Sequence, residues 1–222
     1  MRHVGSKNIG LLRSAFLIFN FCRNNGKLIQ TSKALDIFAV TLSRIFHPFI
    51  ITVPAGISLL ILAELTFSES LKWVLLSTLI TIFPTAVFMK LHPNYHLRDI
   101  NSREDRNLLY LIGLGEIGVL ALIFNYLEAP RIILASTYSV IILVPIAAVI
   151  NRYTKISLHV GTLSGISTAL SFLSIKAGIL GFMATAGVIW SRIRLDRHTT
   201  KEVILGLLVP AIFLGTVFAI LF

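Results

Sequence analysis

The 222-residue chain has one cysteine, Cys22, and only 14% of its residues are charged. A single cysteine excludes a disulfide framework and any cysteine-built zinc site. Soluble domains carry about 25% charged residues, so there is too little polar surface here to solvate a globule. Acids are scarcer still, with ten Asp and Glu against twenty Lys and Arg, a net charge of +10. These shortages exclude a cytosolic enzyme, a disordered tail and, although the pI is near 10.2, a nucleic-acid module. What is abundant is hydrocarbon: apolar types reach 55% and the mean hydropathy is +0.85. On such a chain the basic excess speaks to membrane orientation and anionic headgroups.

Crossing about 30 Å of hydrocarbon takes some 20 apolar residues in a helix. Windows of that kind run over Phe49–Leu65, Leu71–Met89, Leu108–Tyr126, Ile132–Ile150, Ile156–Ser174 and Val203–Phe222. Ala177–Trp190 is a shorter one, with a turn expected near Lys176 and Gly178. The expectation is an all-α polytopic transmembrane helix bundle of seven spans, or six if the short segment is re-entrant. Residues 1–46 read as a basic N-terminal segment and 47–222 as the bundle. Gly10–Phe21 is too short to cross, and basic residues flank and interrupt it, which suits an interfacial amphipathic helix better than a signal peptide. Pro48, Pro54, Pro84 and Pro145 lie in or beside spans, where neighbouring helices can satisfy the freed carbonyls. No internal repeat or low-complexity linker stands out.

Polar residues gather in three places: His96–Arg106, Lys155–His159 and Ser191–Glu202. Two expected spans separate each from the next, so all three return to one face and can build one site. In the third, His198 and Glu202 are four apart. On a helix they would share a face, and the carboxylate could fix one imidazole nitrogen and leave the other basic. Ser157 and His159 begin another apolar helix, where free amides favour an anion. Arg106 and Arg192 add bidentate donors suited to a phosphoryl group. With two histidines, one can attack phosphorus while the other protonates the leaving oxygen.

The run Ser191-Arg192, five residues, His198, three residues, Glu202 resembles the third motif of the type 2 phosphatidic-acid phosphatase superfamily, integral-membrane lipid phosphatases, with Glu where that motif ends in Asp. Val203, Leu205 and Gly206 resemble its continuation. The second motif, Pro-Ser-Gly-His, survives as Ile156-Ser157-Leu158-His159, and the first, Lys, six residues, Arg-Pro, aligns as Asp99, six residues, Arg106-Asn107. The resemblance covers about Asp99 to Gly206. It implies metal-independent hydrolysis of a lipid phosphate or diphosphate, without a cofactor, through a phosphohistidine on His198 held by Glu202. It makes His159 the acid and then the base, and Arg106, Arg192 and Ser157 the phosphate ligands. Asp99 cannot replace the phosphate-binding Lys while ionised, so Arg98 or Arg103 is expected to do so. The substrate classes it allows are phosphatidic acid, phosphatidylglycerol phosphate and isoprenoid diphosphates. A phosphotransferase of the same superfamily and a non-catalytic transporter or lipid-binding protein are the alternatives.

Plainer readings stand beside these. The arginines around His198 also suit a positive cytoplasmic loop, the Arg98–Arg106 run can neutralise itself with Asp99, Glu104 and Asp105, and His159 can be an interfacial histidine. His92 and His96 are four apart, but no third metal ligand accompanies them. Glu116, an acid inside a span, is either functional or a helix–helix hydrogen bond. Seventeen of the twenty Lys and Arg fall on the face of the three clusters, leaving Lys72, Arg131 and Lys176 opposite. By the positive-inside rule this multi-pass cell-membrane protein is expected to open its site to the cytoplasm.

Overall fold

A computed structural model describes residues 25–91 and 103–221, and among them every regular element is helical. Gly10–Phe21, His92, His96, Arg98 and Asp99 lie outside the described residues. The chain divides into Met1–Phe38 and Ala39–Phe222, and all packing discussed below lies within the second unit. The helices are α1 (Asn25–Ile45), α2 (Pro48–Leu62), α3 (Phe67–Ser77), α4 (Phe83–Leu91), α5 (Arg103–Tyr126), α6 (Arg131–Asn151), α7 (Leu158–Leu173), α8 (Ile175–Arg194) and α9 (Thr200–Leu221).

Four segments are long and apolar enough to cross a membrane: Phe67–Leu91, Arg106–Tyr126, Arg131–Asn151 and Thr200–Leu221. They become five if the chain on either side of the 57° bend between Ile45 and Pro48 counts as one span. Phe67–Leu91 runs through α3 and α4, joined by a π-helical turn at Thr78–Ile82. Pro84 explains the turn, because it has no N–H for the preceding turn and its ring needs the extra room of a widened helix. The outer surface is apolar. Leu79, Leu111, Leu122, Ile179, Met183 and Ile212 are all well over half exposed, which in water would be an aggregation surface. Bathed in lipid it is the expected exterior of a membrane protein.

Two cores hold the bundle. In one, Leu60, Val74, Leu120, Phe124, Ile133, Leu214 and Phe218 pack together, with Trp73 edge-on to Phe124 at 5.4 Å between ring centres. In the other, Val160 and Leu163 of α7 meet Val188 of α8 and Val203 of α9. The α7–α8 contact is built from small residues, the usual way helices approach closely where lipid offers no hydrophobic drive. A Cβ on Gly178 would come within 2.0 Å of Ser171 Oγ, and one on Gly181 within 2.6 Å of Ser167 Oγ. Gly178 is therefore a contact residue rather than part of a turn. The turn falls at Ser174, which ends α7 in an extended conformation and starts α8, its Oγ accepting from the Ala177 amide.

Candidate active site

The site is assembled where α8 ends and α9 begins. The last turn of α8 closes with the Asp196 amide donating to Ile193 O at 3.1 Å and the Arg197 amide to Arg192 O at 3.0 Å. Asp196 sits at φ 51°, the left-handed position that this reversal needs and that Asp tolerates better than most residues. The reversal brings His198 back beside Arg192, whose carbonyl also receives the His198 amide at 3.4 Å.

Thr199 then starts α9. Its Oγ1 accepts from the Glu202 amide at 3.4 Å, and its own amide donates to Glu202 Oε2 at 3.1 Å, a reciprocal cap. The same Oε2 lies 2.8 Å from His198 Nδ1. His198 is thus outside the helix, one residue before its cap. It reaches Glu202 because the capping carboxylate turns back toward the helix start, not because the two share a helical face. The Thr-x-x-Glu spacing is a sequence signal for this cap that motif matching alone does not use. Against an ionised carboxylate, Nδ1 carries the proton and donates, which leaves Nε2 with a lone pair.

The side chain of His198 is 1% exposed, that of Glu202 18%. Burial lowers the His198 pKa from 6.5 to about 4; the Glu202 hydrogen bond opposes this, while the positive charges of Arg192 and Lys155 add to it. The imidazole is therefore neutral at neutral pH although a carboxylate touches it.

One or more described residues of each sequence cluster meet. Arg106, His159, Arg192 and His198 line one cavity of about 370 Å³. Arg106, buried at the start of α5, is braced by its NH1 donating to Ile156 O at 2.9 Å, just before α7 begins. Arg192 is likewise buried and donates to Ser43 Oγ at 3.0 Å, while its neighbour Ser191 donates to Ala39 O at 2.7 Å. His159 stands in the first turn of α7, edge-on to His47 at 5.1 Å between ring centres. His47, before Pro48 at the 57° bend, lines the cavity as well. Sequence reasoning missed it because it belongs to no polar cluster.

Ser157 falls elsewhere. It is fully buried at the N-cap position of α7, yet its hydroxyl makes no capping hydrogen bond. It lines an adjoining apolar cavity rather than the one holding the histidines. Its backbone does the structural work, with its amide donating to Glu202 O at 3.3 Å. A Cβ on Gly206 would stand 2.9 Å from the Ser157 carbonyl oxygen, so α9 can approach the start of α7 only with glycine there. Arg103 is in the first turn of α5, and Arg98 lies outside the described residues. Glu116 receives the Thr85 hydroxyl at 2.9 and 2.8 Å to its two oxygens, a link between α4 and α5. Among the described residues no three His, Cys, Asp or Glu are grouped to hold a metal ion.

The arrangement offers a neutral, oriented imidazole, a second histidine and two buried guanidinium groups around one cavity. That set can bind a small anion and carry out nucleophilic and acid–base steps on it. No protein-family model matches the chain, and neither a curated protein nor a solved structure matches it.

Proposed function

We propose that the protein is a membrane lipid phosphatase working through a phosphohistidine on His198. The observation that carries this reading is the convergence of Arg106, His159, Arg192 and His198 on one cavity, with His198 Nδ1 held 2.8 Å from Glu202. Arg106 and Arg192 bind the phosphoryl oxygens and offset the charge that builds as phosphorus is attacked. His198 Nε2 forms the bond to phosphorus as the P–O bond to the lipid breaks, and His159 gives its proton to the departing oxygen. His159, now neutral, takes a proton from the water that attacks phosphorus. The P–N bond then breaks and inorganic phosphate leaves. Glu202 holds the imidazole in the attacking tautomer and stabilises its charged form. Resemblance to the type 2 phosphatidic-acid phosphatase motifs at Ile156–His159 and Ser191–Glu202 points the same way.

The full reading adds α2, α7 and α8 to the four long segments, giving seven crossings. α7, with 16 residues, spans only about 24 Å at 1.5 Å per residue, and the polar cavity at its start makes up part of the difference. The site opens to the cytoplasm in this reading, because seven crossings assign seventeen of the twenty Lys and Arg to the face of the three clusters. The test is phosphate release by purified protein in detergent, with EDTA present, from a panel of phosphatidic acid, phosphatidylglycerol phosphate and isoprenoid diphosphate. Release from at least one is expected. No release from any, with folded protein, overturns the reading.

A further inference from the structure

The cavity that holds the two histidines does not end at the polar side chains. Its wall follows one face of α5 through Arg106, Tyr110, Gly113 and Glu116, ten residues and so about 15 Å of helix. A second cavity, of about 530 Å³, shares the α5 wall at Tyr110, Gly113 and Glu116 and continues past Leu120 to Phe124. Glu116 to Phe124 is a further 12 Å or so, most of the depth of one leaflet in a ~30 Å hydrocarbon core. The two cavities share walls, among them Thr52, Thr81, Gly113 and Thr162.

The chemistry changes sharply between them. The first presents two guanidinium groups and three histidines, whereas the second is walled mainly by aliphatic and aromatic side chains such as Leu60, Val74, Trp73 and Phe124. Glu116 at the junction is already engaged by Thr85, so passage of an alkyl chain does not strand an unpartnered carboxyl. Gly113 is the open point, because a Cβ there meets nothing within 4 Å. A ligand with an anionic head and an apolar chain matches both cavities at once.

We propose that the apolar cavity takes one hydrocarbon chain of a lipid phosphate, drawn inside the bundle along α5 past Gly113 while its phosphate lies among Arg106, Arg192, His159 and His198. The head of this assignment rests on the phosphatase reading; the chain's path does not. The probe is hexadecyl phosphate carrying a diazirine at the far end of its chain, photolysed on the full-length protein in detergent. Labelling is expected on peptides containing Trp73 and Phe124, and unlabelled hexadecyl phosphate should compete for it. Filling the junction should block the path in proportion to bulk. Gly113→Ala is expected to have a small effect, Gly113→Leu a larger one, and Gly113→Phe to cut labelling at least tenfold. The ratio of turnover for hexadecyl phosphate over a short-chain phosphate should fall in the same order. Label spread over the outer apolar surface, or unchanged in both Gly113→Leu and Gly113→Phe, overturns the proposal. If labelling follows the prediction but no phosphate is released, hydrolysis is wrong and the chain's path stands. If phosphate is released but the label lies outside the cavity, the reverse holds.

Discussion

Two helices of this protein start in the same way and end up with different roles. At Thr66-Phe67-Ser68-Glu69 and at Thr199-Thr200-Lys201-Glu202, a threonine hydroxyl accepts from the amide three residues on, and the glutamate turns back to the threonine amide. The first pair is exposed, and Leu65 precedes it. In the second, His198 precedes the cap, and the capping oxygen lies 2.8 Å from its Nδ1. A capping box is thus ordinary helix hardware; the histidine before it, buried with Arg192 nearby, converts the second into a device for aiming an imidazole. Glu202 stops the helix from fraying and orients His198 with one oxygen.

The largest effect that separates the two starts is expected from His198→Ala, which should abolish turnover while the Thr199–Glu202 cap and the fold, followed by thermal unfolding, survive. Next comes Glu202→Gln. Glutamine serves a capping box nearly as well as glutamate, so stability should change little, but turnover should fall by about 10²–10⁴, as when a triad loses its carboxylate. Glu69→Gln should leave turnover unchanged, and equal losses from the two would erase the distinction. Glu202→Asp keeps the charge and should retain much more activity than Glu202→Gln.

Acidity gives the third test. The His198 pKa is lowered in the folded protein, so the unfolded chain binds its proton first as pH falls. The contribution of the neutral, buried imidazole to stability is fully present above about pH 6.5 and is lost as pH drops toward 4. Turnover of the folded protein should hold lower, and fall only as pH approaches 4, where His198 takes up a proton and can no longer attack. Thermal unfolding of wild type and His198→Ala against pH should diverge between those limits, and parallel curves would contradict the assigned protonation.

The smallest effects should come from glycines. Gly206→Ala forces a methyl against the Ser157 carbonyl, 2.9 Å away, and should cost about 1–3 kcal/mol as an overpacked site does. Gly113→Ala meets open space and should be neutral, or stabilise by up to about 1 kcal/mol through helix propensity.

Much of this could be seen in the sequence because it rests on composition and spacing. Hydropathy marked the apolar helices, and the separation of polar clusters by whole spans suggested that they share a face. The His198–Glu202 spacing suggested the pair, though its geometry comes from a Schellman turn at Asp196 and a cap at Thr199. Other features depend on contacts between helices, which no local pattern carries. Gly178 read as a turn because glycine so often is one, whereas its missing side chain lets Ser171 approach. The motif resemblance makes Ser157 a phosphate ligand, whereas the folded chain puts this residue on the wall of the apolar cavity and not among those lining the histidine cavity. His47 joins the site only through the bend before Pro48, and the cavity along α5 exists only once α2, α5 and α7 are packed.

The central claim is a covalent phosphohistidine on His198, and the direct measurement is to trap it. Protein in detergent is mixed with a ³²P-labelled lipid phosphate bearing a good leaving group, quenched in alkali within a turnover and digested. The His159→Ala protein, slowed in the water-dependent step, serves as the accumulating form. Alkali-stable, acid-labile label on the peptide holding His198, missing from His198→Ala, is the predicted result. Rapid release of inorganic phosphate with no label on that peptide, or full turnover by His198→Ala, would contradict it.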